Sequence, residues 1–372
     1  MKKPLIDYLK NVPDPRVNRT KVYSLDSIAI MTICGTIVGQ KNWQAIADWA
    51  KAEQAWLLKA FDINRIPSHD TFGRLFSRIN PRIFARIIQN WSMQIVGTQK
   101  IKVISLDGKT IKGSRDENDW AIHLILAWAT EIGLVIGSRE MTMGYNEVHA
   151  MHIVLEQLIL DGVLVCIDAI ATRPAIAQQI TDVGGDYLLP LKENNKDFLS
   201  DVSTFFKEAL VTGFADVEYT KYYSIEKGHG RIEKRTTYVI HDIDWLEQRE
   251  KWPKLKSLIM TQRERRKKGT IETSIAYHIS SRQAGAEQFA GFIRGHWNIE
   301  NGLNHVLDVV FDEDKSRVRK GFGAHNMNTI RCLALGMLNH KKTNGGISST
   351  MRLAANCREH LNVFAKLLLG ET

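Results

Sequence analysis

Residues 101–108 read IKVISLDG, and residues 163–169 read VLVCIDA. Each stretch is a short apolar run that ends at an aspartate followed by Gly or Ala. Runs of this kind are typical of buried strands in a parallel sheet. If the two strands are neighbours, Asp107 and Asp168 emerge at the same sheet edge, where open α/β sheets bind ligands. The alternative is that each aspartate belongs to an ordinary turn, since Asp-Gly after a strand is most often a turn.

The segments around these two strands complete an α/β unit. Apolar alternation and short apolar runs predict its strands, and apolar side chains at helical spacing predict its helices. The predicted elements are strands at 101–106, 121–130 and 134–142, a helix around 151–159, a strand at 163–167, a helix at 174–183, a strand at 187–191 and a helix around 198–206. This alternation of strands and helices predicts the α/β fold class.

The segment that precedes the unit, residues 1 to 95, predicts only helices, and Ser24 is placed to cap one of them. Residues 67–95 predict short helices separated by Pro and Asn, which is compatible with a helix-turn-helix. Arg74, Arg78 and Arg82 would then form a basic side of one helix. The alternative is a helical bundle with solvated arginines.

After the unit the pattern becomes β-rich over residues 213–280, which we interpret as an insertion into the α/β unit. A long amphipathic helix is expected from Ala286 to about Phe311, and helices return after Asn326. The predicted domains are a helical N-terminal DNA-binding domain (1–95), a first core part (96–212), the β-rich insertion (213–282), the rest of the core (283–325) and a helical C-terminal tail (326–372).

The composition restricts the classes of function. The chain has 372 residues, 44% of them apolar, which is enough for a large core. Its 50 basic and 41 acidic residues give a net charge of +9, which favours an anionic partner such as nucleic acid. The four cysteines form no CxxC pair, so we expect neither disulfides nor a zinc site. With no apolar run of signal or membrane length, we expect a soluble, cytoplasmic bacterial protein that has no membrane partner.

Glu300 supplies a third candidate carboxylate. On a regular helix it shares a face with side chains that are mostly apolar or aromatic: Phe289, Phe292, Ile293, His296, Trp297 and Leu303. A carboxylate on an inward face should be paired or bound to metal, because an isolated buried charge is costly. The alternative is a salt bridge with a nearby Arg or Lys.

Two strand-end aspartates and one helical glutamate form a hard, oxygen-rich ligand set that suits Mg²⁺ or Mn²⁺. Two such ions can assist attack on a phosphodiester. The chain has no GxSxG, no Walker loop and no HExxH that would indicate another chemistry.

Several longer motifs carry a family resemblance. The segments ISLDGKTIKGS, CIDAIATRPAIAQQI, GGDYLLPLKENN, KGHGRIE and HWNIENGLNHVLDVVFDEDKSR resemble the H-repeat-associated, ISAs-type insertion-sequence transposases. The resemblance runs in order over nearly the whole chain. It implies an RNase H-like core with a catalytic Asp107–Asp168–Glu300 triad, a β-rich insertion before the glutamate and a helical N-terminal domain. It also implies endonucleolytic cutting of transposon ends and their joining to target DNA, with magnesium, no small-molecule cofactor, and a homo-oligomer bound to DNA in the nucleoid.

The resemblance and the positions together suggest candidate DNA contacts. These residues lie beyond strand ends, in the Gly-flanked turn of the insertion or near Glu300: Lys109, Lys192, His229, Arg231, Arg294, His296, Trp297 and Asn301. For Lys109 and Lys192 the alternative is a solvated lysine, for His229 and Arg231 an ordinary basic loop. For Trp297 we favour packing in the core over stacking on a displaced base.

The sequence departs from the family beside the triad. Ile170-Ala171-Thr172-Arg173 stands where the family usually has Met-Gly-Cys-Gln, and Glu193-Asn194-Asn195 where it usually has Gly-Asn-Gln. Three hypotheses therefore remain: an active transposase, a domesticated metal-dependent DNA nuclease, and a catalytically silent DNA-binding regulator.

Overall fold

The computed structural model describes residues 3–96, 101–141, 146–228, 230–267 and 270–371. The chain divides into two compact units: Met1–Lys100, Gly108–Met143 and Glu300–Thr372 form the first, and Ile101–Asp107 and Gly144–Ile299 form the second. The α-helices are α1 (Leu5–Leu9), α2 (Leu25–Ile37), α3 (Trp43–Ala52), α4 (Gln54–Phe61), α5 (His69–Phe76), α6 (Pro81–Val96), α7 (Glu147–Leu155), α8 (Pro174–Asp182), α9 (Lys196–Val211), α10 (Ala286–Asn298), α11 (His305–Val309), α12 (Gly323–His340), α13 (Gly346–Asn356) and α14 (Arg358–Leu368). The strands are β1 (Val103–Ile111), β2 (Ile122–Ala129), β3 (Leu134–Glu140), β4 (Leu164–Ile167), β5 (Asp186–Leu191), β6 (Tyr219–Gly228), β7 (Arg231–Ile240), β8 (Ser257–Lys267) and β9 (Thr270–Ser280).

The first unit is mainly helical and is built around α2 and α12. Both helices are buried over almost their whole circumference, as expected of helices in the centre of a core. α12 packs against α2, α5, α6 and β3. Its buried Asn326 donates two hydrogen bonds, to the carbonyl oxygens of Phe76 (2.8 Å) and Ile79 (3.0 Å). The helical predictions for the N-terminal segment and the C-terminal tail are confirmed.

Local sequence explains where these helices begin. Ser24 caps α2 by accepting a hydrogen bond from the Ser27 amide (3.2 Å), as predicted. α5 and α6 are separated by residues 77–80, and their apolar sides, which include Phe72, Phe76 and Phe84, are buried. Arg74, Arg78 and Arg82 are exposed. Both the helix-turn-helix and the helical bundle require exposed arginines, so their exposure does not decide between the two.

The second unit contains a mixed sheet in the strand order β1-β4-β5-β9-β8-β7-β6. β1, β4 and β5 are parallel, and the other neighbours are antiparallel. The predicted β-rich segment is confirmed as four strands, β6–β9. Because β9 pairs with β5, these strands continue the sheet of the α/β unit.

Helices cover both faces of the inner part of this sheet. On one face Ala286 and Phe289 of α10 pack against side chains of five strands: Val103, Leu164, Cys166, Leu188, Val239 and Ile259. On the other face α9 packs on β9, with the Phe206 and Tyr277 ring centroids 6.0 Å apart. The α10 face matters for function because it carries the candidate carboxylates.

The described cysteines are free, and Cys34, Cys166 and Cys332 are buried. Among the described residues, no helix is both long and apolar enough to cross a lipid bilayer.

Candidate active site

Asp107 and Asp168 lie next to each other on neighbouring parallel strands. β1 pairs with β4 up to Leu106 and Ile167, so each aspartate follows a paired residue at the same level of the sheet. Neighbouring strands are about 4.8 Å apart. The condition set for the aspartate pair, that the two strands are neighbours, is met. The Asp168 carboxylate also accepts a hydrogen bond from the Ile170 amide (3.0 Å).

The alternation of side chains along a strand places both carboxylates on the α10 face. Val103 contacts α10, so Asp107, four residues further along β1, lies on the same face. Leu164 also packs with α10, so Asp168, four residues further along the chain, lies on that face too. One expectation was wrong: Asp107 does not end its strand, because β1 continues to Ile111. Asp107 is therefore not a turn residue. Asp168 directly follows Ile167, the last residue of β4, and caps the turn Ala169–Ala171.

Three nitrogen groups lie near Asp168 on the same face. The Asp168 charge acts on His296 of α10, and the Lys192 charge acts on both His296 and His278. Burial lowers the pKa of His296 to about 4, an effect that Asp168 partly offsets and Lys192 reinforces. Burial lowers the pKa of His278 to about 3, with His296 and Lys192 adding to the shift. Both imidazoles are therefore neutral at pH 7, and their buried Nδ1 atoms have no hydrogen-bond partner among the described residues.

The two segments that depart from the family pattern contact each other. Asn194 donates a hydrogen bond to the carbonyl oxygen of Ala169 (2.6 Å), and Asn195 donates one to that of Thr172 (2.9 Å). The Thr172 hydroxyl donates in turn to the Pro190 carbonyl (2.8 Å). Asn195 and Thr172 are departures from the family pattern, whereas Asn194 is not, and together these bonds hold the backbone on the carboxyl side of Asp168.

Glu300 lies in a π-helical turn, Ile299–Asn304, that follows α10 and precedes α11. Single π-turns inside α-helices occur often at functional sites. The predicted long helix is confirmed in extent, but the inward orientation of Glu300 was wrong, because its side chain is exposed. The extra residue of the π-turn shifts the helical phase, so the spacing of a regular helix does not apply there.

Lys109 is buried and ion-paired, whereas a lysine that contacts phosphate is expected to be exposed. Its side chain is only 4% exposed, and its Nζ lies 2.6 Å from Asp308 and 3.5 Å from Glu313. Glu313 is fully buried and also pairs with Arg331 (3.1 Å) and Asn328 (3.1 Å). Lys109 therefore belongs to a buried charge network of the first unit.

The other predicted contacts are distributed over the second unit and the π-turn. Arg231 begins β7 and pairs with Glu233 (2.7 Å), while Arg294 is half-exposed on α10 and pairs with Glu226 (2.5 Å). Asn301 is exposed in the π-turn. Trp297 is 47% exposed, so the preference for core packing was wrong. His229 lies outside the described residues.

Sequence reasoning missed two sets of residues in this unit. His278 faces α10 because it lies opposite Pro190 in the β5–β9 pair, and that pairing has no local sequence signal. Arg235 and Arg265 pair with the buried Glu233 across two strands. Their alternating positions in β7 and β8 were visible, but the register that brings them together was not.

The donor chemistry of Asp107 and Asp168 suits Mg²⁺ or Mn²⁺, which prefer carboxylate oxygen. The described residues contain no group of three or more His, Cys, Asp or Glu side chains close enough to hold a metal ion. Mg²⁺ is usually held by one or two carboxylates together with substrate phosphates, not by an all-protein cage. The aspartate pair fits that mode of binding.

Comparison with known proteins gives two family matches. The family described as Transposase DDE domain matches residues 98–337, and the one described as DDE_Tnp_1-associated matches residues 6–92. The chain is 33% identical to the H repeat-associated putative transposase YhhI of Escherichia coli K12 over 379 aligned positions, which cover 99% of this chain and 98% of that protein. It is 36% identical to an uncharacterized protein of the dhlA 3′ region of Xanthobacter autotrophicus, covering 74% and 94% of the two chains. A solved piggyBac transposase synaptic complex with hairpin DNA has a TM-score of 0.44 at 9% identity, covering 98% of this chain and 82% of that one, a likeness too weak to support a fold assignment.

Proposed function

Because the chain belongs to the DDE transposase family, we propose that it cleaves the ends of a transposable element and joins the resulting 3′-hydroxyl to target DNA. In this proposal Asp107, Asp168 and Glu300 are the catalytic carboxylates. The observation that carries it is the position of the two aspartates, side by side on neighbouring parallel strands and on the face covered by α10.

We propose that the carboxylates bind two Mg²⁺ or Mn²⁺ ions together with the DNA phosphate. Ions bound in this way activate the attacking oxygen and stabilise the leaving one. The chain's own groups would hold the reacting strand in place. Lys192 is exposed and its charge acts on His296, as does that of Asp168, so it can pair with a phosphate near the aspartate, while the neutral His296 can accept or donate a single hydrogen bond. The braced loop of Ala169–Thr172 would keep the Asp168 carboxylate at a fixed height above the sheet.

We propose that the N-terminal helices contribute DNA binding. Arg74, Arg78, Arg82 and Arg86 are all exposed on or between α5 and α6. Among the described residues, none of the four forms an ion pair with a carboxylate. The pKa of Arg139 is lowered by partial burial and by the nearby Arg82 guanidinium, so these two cations lie close together. The pKa of the nearby Glu140 is lowered by its hydrogen bond with His325 and also by the Arg82 and Arg139 charges, so one carboxylate serves both arginines. The remaining positive excess favours a polyanion.

The test is a cleavage and joining assay with a duplex that carries the DNA flanking the gene, in the presence of Mg²⁺. Asp107→Asn, Asp168→Asn and Glu300→Gln should each bind this duplex but lose cleavage by several orders of magnitude. Matched controls are Asp201→Asn and Glu287→Gln, which neutralise exposed carboxylates of α9 and α10 in the second unit. Both controls should cleave like the parent.

The products separate the proposal from its alternatives. Joined strands support a transposase, cleavage without joining supports a nuclease, and binding without either supports a regulator. A triad variant that cleaves like the parent would contradict the assignment of that residue.

A further inference from the structure

The outer halves of β6–β9 form a four-stranded arm whose two faces differ. Pairing keeps Glu226, Glu233, Arg265 and Glu272 in one row across the four strands. Side chains alternate along a strand, so residues two positions away from this row lie on the same face. On β7 and β8 these residues are cations. We call the face defined by the following residues the arginine face: Arg231, Arg235, Arg263, Arg265 and Lys267.

Glu233 organises this face from its centre. Its side chain is 7% exposed and lies 2.7 Å from the Arg231 Nε and 3.9 Å from the Arg265 Nε, and it also pairs with Arg235. Three guanidinium groups thus surround one buried carboxylate. Arginines held in this way have already lost much of their side-chain freedom, so binding a further anion costs less entropy.

The arginine face retains a positive excess. Its five cations and the neighbouring Arg294 are accompanied by three carboxylates, Glu226, Glu233 and Glu272. The Arg265 Nε is buried and makes no hydrogen bond to the described residues. Its contacts with Glu233 and Glu272, at 3.9 Å each, are ion pairs without a hydrogen bond, so the guanidinium can still donate to a further anion.

The opposite face of the arm has another character. Tyr223, Ile225, Ile271 and Ile275 are each about half exposed there. Arg266 also lies on this opposite face, because it is adjacent in sequence to Arg265 on the same strand. The opposite face also carries Lys227 and Lys234, the latter paired with Glu264 (3.2 Å), so both faces contain cations. What distinguishes the arginine face is the buried Glu233 that holds three guanidinium groups together.

We propose that the arginine face binds the sugar-phosphate backbone of duplex DNA, with Glu233 holding its guanidinium groups in place. Arginine is suited to this task because its planar fork matches two phosphate oxygens. Contacts to phosphate carry no sequence information, so binding through the backbone alone should be independent of base sequence. This inference rests on the proposed function, since it concerns the DNA that the enzyme would act on.

The test is duplex binding, measured by fluorescence anisotropy in EDTA over a series of salt concentrations, with the full-length protein. Arg265→Ala should lower the slope of log K against log salt by about 0.9, the value for one phosphate contact. Arg266→Ala is the matched control, since it removes the same charge from the next residue on the opposite face, and its slope should equal the parent's.

Arg263→Ala is a second variant on the arginine face, chosen because no ion pair of Glu233 involves it. It should also lower the slope, whereas its melting temperature should stay near that of the parent. Equal slopes for the Arg265, Arg263 and Arg266 variants would overturn the proposal. Because the measurement contains no metal, this result is separate from a failure of the proposed function, which would appear as a parent protein that binds DNA but does not cleave it in Mg²⁺.

Discussion

Lys109→Met tests whether Lys109 acts in folding or in DNA binding. The substitution keeps most of the side-chain volume but removes the cation that lies 2.6 Å from Asp308 and 3.5 Å from Glu313. Glu313 is fully buried, so the loss of one of its partners leaves an under-compensated buried charge. Breaking a buried ion pair on one side typically costs about 3–5 kcal/mol. Arg331 and Asn328 still neutralise Glu313, so we expect the lower end, about 3 kcal/mol.

The assay is urea unfolding of the parent, Lys109→Met and Lys112→Met. Lys112 pairs with Asp314 at 2.9 Å in the same region, but its side chain is 59% exposed. Solvent screens that pair, so its removal should leave the free energy of unfolding essentially unchanged. Under conditions where Lys109→Met is folded, its salt slope for duplex binding should equal the parent's. A Lys109→Met protein that is as stable as the parent and whose salt slope is lower by about one contact would refute this reasoning.

Three further predictions concern other parts of the molecule. The pKa of His278 is about 3 in the folded state, below its ordinary value of 6.5, so the unfolded chain binds more protons between these two pH values. Stability should therefore fall as the pH drops from 6.5 towards 3. In thermal melts at several pH values, His278→Gln should flatten this dependence, and an unchanged profile would contradict the prediction. Phe289→Ala removes a fully buried ring from the α10 face and should lower the free energy of unfolding by about 3–5 kcal/mol, measured in urea. Phe292 is only half-buried, so Phe292→Ala should lower it less, and equal losses would show that α10 packs differently. Replacing Arg82 and Arg86 together with Ala should lower the salt slope of duplex binding by about 1.8, whereas Arg352→Ala, an exposed arginine of α13, should leave it unchanged; a slope that the double variant does not alter would remove α6 from the DNA surface.

The sequence predicted those features that depend on local pattern. The strands that precede Asp107 and Asp168, the Ser24 cap and the four strands of the insertion all follow from apolar spacing and turn residues, and all are present. The sequence also identified the condition for the aspartate pair, that β1 and β4 are neighbours, and the structure meets it. The family motifs are the reason for proposing Glu300 as the third carboxylate, which periodicity alone left open.

The features that the sequence did not predict depend on register and on local irregularity. The orientation of Glu300 was wrong because a π-turn shifts the phase of its helix, and one inserted residue leaves no compositional mark. In the sequence Lys109 has the pattern of a solvated lysine, because its partner Asp308 lies about 200 positions away in the chain. The same is true of His278 and of the arginines around Glu233, whose neighbours are set by strand register.

The central claim is that Asp107, Asp168 and Glu300 share bound metal ions. The most direct measurement replaces magnesium with Fe²⁺, with duplex DNA present. It maps where hydroxyl radicals formed at the bound iron cut the polypeptide backbone of the protein. We predict cuts adjacent to residues 107, 168 and 300 in the parent, and their joint loss in Asp168→Asn but not in Asp201→Asn. Cuts at other positions, or cuts near these three residues that persist in Asp168→Asn, would contradict the account.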